Sequence, residues 1–102
     1  MTTDRLLAMT QAQRDRLAFI ELRLRFLGEI RRHDLVARFG IQVAAATRDI
    51  AQYKELAPGN MTYDASDKVY VRASWFRPLF DFSAERVLRW LSAGYGDGEP
   101  SL

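Results

Sequence analysis

The residues in this 102-residue sequence best suited to chemistry are ones that could read a nucleic acid. Arg48 carries a guanidinium fork that can bond a guanine edge at two points, and Gln42 an amide that can pair with adenine or meet a phosphate. Val43, Ala44 and the Thr47 methyl group are of a size to pack on a thymine methyl. Lys68 suits a contact with the sugar-phosphate backbone or the minor groove, and the run Arg31-Arg32-His33 suits phosphate. Each has a blander reading, because an isolated arginine such as Arg48 is commonly a solvated surface residue. Thirteen of the fifteen basic residues are arginine, a choice that fits phosphate and guanine recognition and equally fits arginine-rich coding.

Catalysis has little to work with. The chain has no cysteine, hence no thiolate nucleophile and no thiolate metal site. His33 is the single histidine, too few for an imidazole-based metal centre, and reads as a solvent-facing or capping residue. No nucleophile elbow or phosphate loop is present. Gly94-Tyr95-Gly96-Asp97-Gly98 follows a helical stretch and leads to the chain end, the wrong context for a nucleotide loop. No enzyme, cofactor or small-molecule ligand is implied for this domain.

Side chains that read bases need rigid elements to carry them. Leu17, Ile20, Leu24 and Leu27 recur at helical spacing, and Thr10 with Gln13 forms a capping box ahead of them, so a helix is expected over 10–27. Phe19, Leu22, Phe26 and Ile30 make a second apolar stripe, suited either to the core or to a subunit interface. Glu29 to His33 is polar enough for a turn. A short helix opened by His33 or Asp34 should cover 35–39 and stop at Gly40 in a left-handed turn. A third helix is expected over 43–56, with Ala46, Ile50 and Tyr53 on its inner face and Pro58-Gly59 beyond its end. Its other side, Ala44, Thr47, Arg48 and Ala51, is thin enough to enter a groove.

Beyond Asn60, Met61-Thr62-Tyr63 and Val69-Tyr70-Val71 are β-prone segments flanking a short polar loop, the pattern of a hairpin. The aromatic run Trp75 to Phe82, broken by Pro78, reads as an irregular strap over apolar surface, its tryptophan packing rather than stacking on bases. Ser83 caps a last helix that stops at Gly94 and carries Val87, Leu88 and Leu91, with Trp90 beside them. The fold class is therefore mainly α with a small β-hairpin, in the order of a winged helix-turn-helix. Residues 1–93 form one DNA-binding domain and residues 94–102 a flexible tail or linker.

Composition agrees with one such domain. With 48% hydrophobic residues, 12% of the chain aromatic, a compact core is affordable at this length. No apolar run nears the ~20 residues of a bilayer span, and with no export signal the expected setting is cytoplasmic. Residues 1–60 hold ten basic against seven acidic groups and residues 61–102 five against six, so the positive charge lies with the helices.

Leu35-Val36-Ala37-Arg38-Phe39-Gly40-Ile41 followed by Thr47-Arg48-Asp49-Ile50 resembles the helix-turn-helix of DeoR-type bacterial repressors. A longer set is similar to the N-terminal domain of WYL-domain transcriptional regulators associated with antiphage defence operons. It comprises Phe39-Gly40-Ile41, Ala46 to Asp49, Tyr53, Leu56-Ala57-Pro58 with Asn60, Tyr63-Asp64, Lys68 with Tyr70, and Phe76 to Phe80. The resemblance spans residues 11–93 and implies a winged helix that binds operator DNA as a homodimer. Gln42 departs from the serine or threonine common at that helix start, which frees its side chain to meet DNA. No WYL domain lies in these residues, so effector sensing does not carry over, and the sequence reads as part of a longer protein. The competing expectation is a winged-helix module for protein interaction or dimerisation without DNA binding, supported by the same aromatic strap and apolar helix faces.

Overall fold

The computed structural model describes residues 2–80. Six elements follow a short first helix, α1 (Thr2–Leu7): α2 (Gln11–Leu27), β1 (Glu29–Ile30), α3 (Arg32–Phe39), α4 (Val43–Leu56), β2 (Met61–Asp64) and β3 (Val69–Arg72). The helix expected over 83–94, with Leu88, Trp90 and Leu91, and the tail 94–102 lie outside the described residues.

α2 begins where the capping box places it. The Gln13 N–H donates to Thr10 Oγ1 at 3.1 Å and the Thr10 N–H to Gln13 Oε1 at 3.0 Å, satisfying two donors that the first turn leaves without helical partners. It ends at Gly28, whose φ of 83° is left-handed. Up to Leu24 both apolar stripes of α2 turn inward: Leu17, Ile20 and Leu24 are buried, and so are Phe19 and Leu22. The wide apolar arc is explained by position, because α2 touches α3, α4, β1 and β3. Phe19 meets the ring of Phe39 edge-on at 5.4 Å, which pins α3 against α2. Phe26 and Leu27, in the last turn, remain exposed.

Two boundaries differ from the sequence reading. Glu29 and Ile30 form a strand rather than a polar turn, because Gly28 folds the chain back beside β3: the Arg72 N–H donates to Gly28 O at 3.0 Å. Ile30 thereby reaches the core and is fully buried. α3 then starts at Arg32, earlier than expected, because the Asp34 carboxylate reaches back to accept the Arg31 N–H at 2.8 Å. Arg31 is thus the residue at the helix boundary, and Arg32 and His33 form the first turn.

The sheet is antiparallel in the order β1-β3-β2. Ile30 pairs with Tyr70 on one side of β3, and Tyr63 pairs with Tyr70 on the other. Met61, Ile30 and Val69 are buried in these strands, while Thr62, Tyr63 and Glu29 stay exposed.

Of the irregular strap expected over 75–82, residues 75–80 are described and 81–82 lie outside the described residues; Phe76, Leu79 and Phe80 pack on the core. Trp75 corrects the expectation of packing: it lies 74% exposed beside Gly59, because the chain turns at 74–75 and sends the indole outward. The strap is held by two buried polar side chains. Asn60 accepts the Arg77 N–H at 2.8 Å and donates to Arg77 O at 2.7 Å and to the Tyr53 hydroxyl at 2.9 Å. Glu21, fully buried in α2, accepts the N–H groups of Leu79 and Phe80 and the Tyr53 hydroxyl, each at 2.7 Å. An unpaired buried carboxylate would cost several kcal/mol, and these donors are what make Glu21 tolerable there.

Candidate nucleic-acid interface

The turn between α3 and α4 decides what α4 can present. Gly40, at φ 66°, closes α3 with its N–H on Val36 O at 2.8 Å. Gln42 then starts α4, its carbonyl accepting the Ala46 N–H at 3.1 Å while its side chain makes no capping bond. The amide of Gln42 is exposed, as its departure from the usual serine or threonine suggested.

α4 has two faces of opposite character. Ala46, Ile50, Tyr53 and Leu56 are buried, and Asp49 is buried with them. Gln42, Val43, Ala44, Thr47, Arg48 and Ala51 are exposed, the side expected to be presented outward. Thr47 Oγ1 donates to Val43 O at 3.1 Å and accepts from Arg32 Nη1 at 3.4 Å, leaving its methyl group as the part without a polar partner. Arg48 makes no hydrogen bond or ion pair among the described residues.

Sequence reasoning did not find what sets the rotation of this helix. Arg16 in α2 grips Asp49 with two bonds, Nε to Oδ2 at 2.7 Å and Nη2 to Oδ1 at 3.4 Å, and their side chains are 20% and 7% exposed. The signal was present in the spacing: Asp49 shares the inner stripe with Ala46, Ile50 and Tyr53, and a carboxylate on an inward stripe requires a cation opposite. Tyr53 is the second lock. Burial and the charge of Glu21 push its hydroxyl well above the ordinary tyrosine range, so it remains a donor to that carboxylate. Burial also raises the Glu21 pKa, against the opposing pull of the Leu79, Tyr53 and Phe80 hydrogen bonds and the Arg25 charge.

The remaining predicted residues gather at two places. Arg32 joins the outer face of α4 through Thr47, whereas its neighbour Arg31 turns to the hairpin. Arg31 Nη1 donates to Asp67 O at 2.5 Å and reaches Lys68 O at 3.5 Å, and Arg31 Nη2 lies 3.8 Å from the Glu29 carboxylate. Lys68 is exposed at the end of the β2–β3 loop, with a φ of 55°. Asp64 Oδ1 shapes the same loop by accepting the N–H groups of Ser66 at 3.0 Å and Asp67 at 3.3 Å. His33 is exposed on α3.

Among the described residues no group of histidine and carboxylate side chains could hold a metal ion, and no helix is long and apolar enough to cross a membrane.

A helix packed across α2, a glycine turn, an outward-facing helix and a hairpin joined to a third short strand make a winged helix-turn-helix domain. Residues 12–93 match the family described as the BrxR transcriptional regulator winged helix-turn-helix domain. The chain belongs to that family. It is 44% identical over 68 residues to the DNA-binding transcriptional repressor CapW of Escherichia coli strain KTE188, an alignment covering 67% of this chain and 23% of that protein. A CapW of Pseudomonas aeruginosa is 44% identical over 77 residues, covering 74% of this chain and 26% of the relative. The corresponding repressor of Stenotrophomonas maltophilia is 37% identical over 67 residues, covering 66% and 22%. The chain thus spans about a quarter of the length of the curated relatives it matches.

Proposed function

We propose that this chain is the operator-binding part of a bacterial transcriptional repressor, placing α4 in the major groove of duplex DNA and the β2–β3 loop on the backbone or minor groove. The observation that carries this reading is the division of α4. Its inner face is fixed by Asp49 and Tyr53, while Gln42, Val43, Ala44, Thr47 and Arg48, the last without a polar partner among the described residues, face outward. The names of the relatives point the same way. Arg48 would take a guanine edge, Gln42 adenine or phosphate, and the small side chains a thymine methyl. Arg32, already on this face, suits phosphate. The domain binds rather than catalyses, and its place is with DNA in the cytoplasm.

Selection from a random duplex pool tests the reading directly. A recurring motif is the expected result, and Arg48→Ala should then lose ~1 to 3 kcal/mol on that motif and relax preference at one base pair. A pool that enriches nothing would leave the protein-interaction reading instead. If the Arg48→Ala loss were the same on every duplex, Arg48 would be a phosphate contact and not a base reader.

The domain is proposed to act as a homodimer on half-sites about 34 to 36 Å apart, one helical turn, or a multiple of that spacing. The surface expected for it is the second apolar stripe with Leu88, Trp90 and Leu91; of that stripe Phe19, Leu22 and Ile30 are buried within one chain and Phe26 is 43% exposed, while 88–91 lie outside the described residues. Sedimentation of a single 11.7 kDa species at high micromolar concentration would remove the dimer.

A further inference from the structure

We propose that Arg31 is a wing-positioning residue, setting where Lys68 meets the DNA backbone through the carbonyls of Asp67 and Lys68 rather than meeting a phosphate itself. This rests on the DNA-binding reading above and assigns a division of labour within it.

Three observations converge on the loop. First, Lys68 has a left-handed backbone, φ 55°, a conformation that is uncommon for a side chain with a Cβ and survives only when its surroundings impose it. Second, the loop is held from both sides. Asp64 Oδ1 takes the N–H groups of Ser66 and Asp67 from within the hairpin, and Arg31 Nη1 takes the Asp67 and Lys68 carbonyls from outside it. Third, Arg31 is itself fixed, because its N–H is bound to Asp34 Oδ2 at the start of α3 and its carbonyl accepts the Asp34 N–H at 3.0 Å.

The consequence is a rigid line from the helix-turn-helix to the loop. Arg31 belongs to the same turn of chain as Arg32, which touches Thr47 on α4, so one short stretch registers both the exposed helix and the lysine. A guanidinium already on two carbonyls and close to the Glu29 carboxylate has fewer donors left for an anion. The ammonium of Lys68 is free to point away from the protein, because the backbone carbonyl is the part that Arg31 holds.

The salt dependence of binding separates the two roles. Each phosphate neutralised contributes about 0.9 to the slope of log affinity against log salt. A mixed-sequence duplex is the probe, since phosphate contacts do not depend on sequence, and the full 102-residue chain is titrated between about 50 and 200 mM salt. Lys68→Ala should reduce the slope by about 0.9. Arg31→Ala should weaken binding, and the Arg31→Ala, Lys68→Ala double variant should be no weaker than Lys68→Ala, with a slope reduced by about 0.9 in total. Losses that add, with a slope reduced by about 1.8, would make Arg31 a phosphate contact in its own right and overturn the inference.

Hydrogen exchange of the free protein supplies a readout that needs no DNA. Arg31→Ala should speed exchange at the Ser66 and Asp67 amides while α2 keeps its protection, and unchanged loop exchange would overturn the positioning role. If Arg31→Ala fails to fold, Arg31→Lys retains the charge without the fork. It should lose affinity and loop protection together under positioning, and neither if a charge near phosphate is all that matters. A wild-type chain that binds no duplex at any of these salt concentrations removes the DNA-binding reading and this inference with it, whereas additive losses remove the inference alone.

Discussion

Arg48 and Asp49 are neighbours in the chain with opposite surroundings: one guanidinium stands in solvent, and the next carboxylate is clasped by Arg16. The difference follows from 3.6 residues per turn, since a one-residue step turns a side chain by about 100°. Gly40 is a different case, in which the backbone and not the side chain is selected. A Cβ placed there would meet nothing within 4 Å, so Gly40→Ala should suffer only the left-handed conformation. A loss of about 1 to 2 kcal/mol in urea unfolding is expected. A much larger loss would mean that the α3–α4 turn has to move. The residues around the turn were legible because Gly40 and the Ala46, Ile50, Tyr53 spacing speak locally. Asp49 was missed because its partner is 33 residues away, in another helix.

Elements differ in how much of their cause is local. α2 and α4 carry their own stripes and boundaries, and α4 covers Val43–Leu56 as its pattern predicts. α1 carries no comparable stripe in its six residues. It is held instead by contacts beyond itself, with the Arg14 guanidinium on Leu6 O and Met9 O at 3.0 and 2.7 Å, and Arg5 paired with Glu55 of α4. β1 is two residues long, too short for any period, and exists because β3 lies beside it. The same logic makes a prediction for α4. Asp49→Ala removes two hydrogen bonds to a charged partner and leaves the mostly enclosed Arg16 without its carboxylate. A loss of about 1.5 to 3 kcal/mol is expected by denaturant unfolding, the usual worth of a charged hydrogen bond. A loss under a few tenths would mean that apolar packing alone sets the helix. DNA affinity should fall with it, because the outer face turns with the inner one.

At the scale of the whole molecule, Glu21 ties α2, α4 and the strap together, and this gives stability a pH signature. Burial raises the Glu21 pKa above its ordinary value of about 4.5, so the folded state binds this proton more tightly than the unfolded chain. The contribution is therefore complete below about 4.5 and lost as pH rises through the higher folded value. The stability of wild type relative to Glu21→Gln should accordingly grow as pH is lowered through that window, read as the difference between the two melting temperatures. A difference flat with pH would show that Glu21 does not titrate differently on folding. Glu21 gave little notice of this role in the sequence. A single carboxylate among apolar helix positions does not reveal that backbone amides of residues 79 and 80, nearly sixty positions on, will meet it.

The strap and α4 are joined through atoms that water cannot replace while the core stays closed. The amides of Leu79 and Phe80 sit on Glu21, Glu21 holds the Tyr53 hydroxyl, and Tyr53 belongs to α4. Lifting the strap strips a shielded anion of two of its three donors and leaves the phenol as its remaining tether, so the strap and α4 behave as a latch and its bolt, released together or not at all.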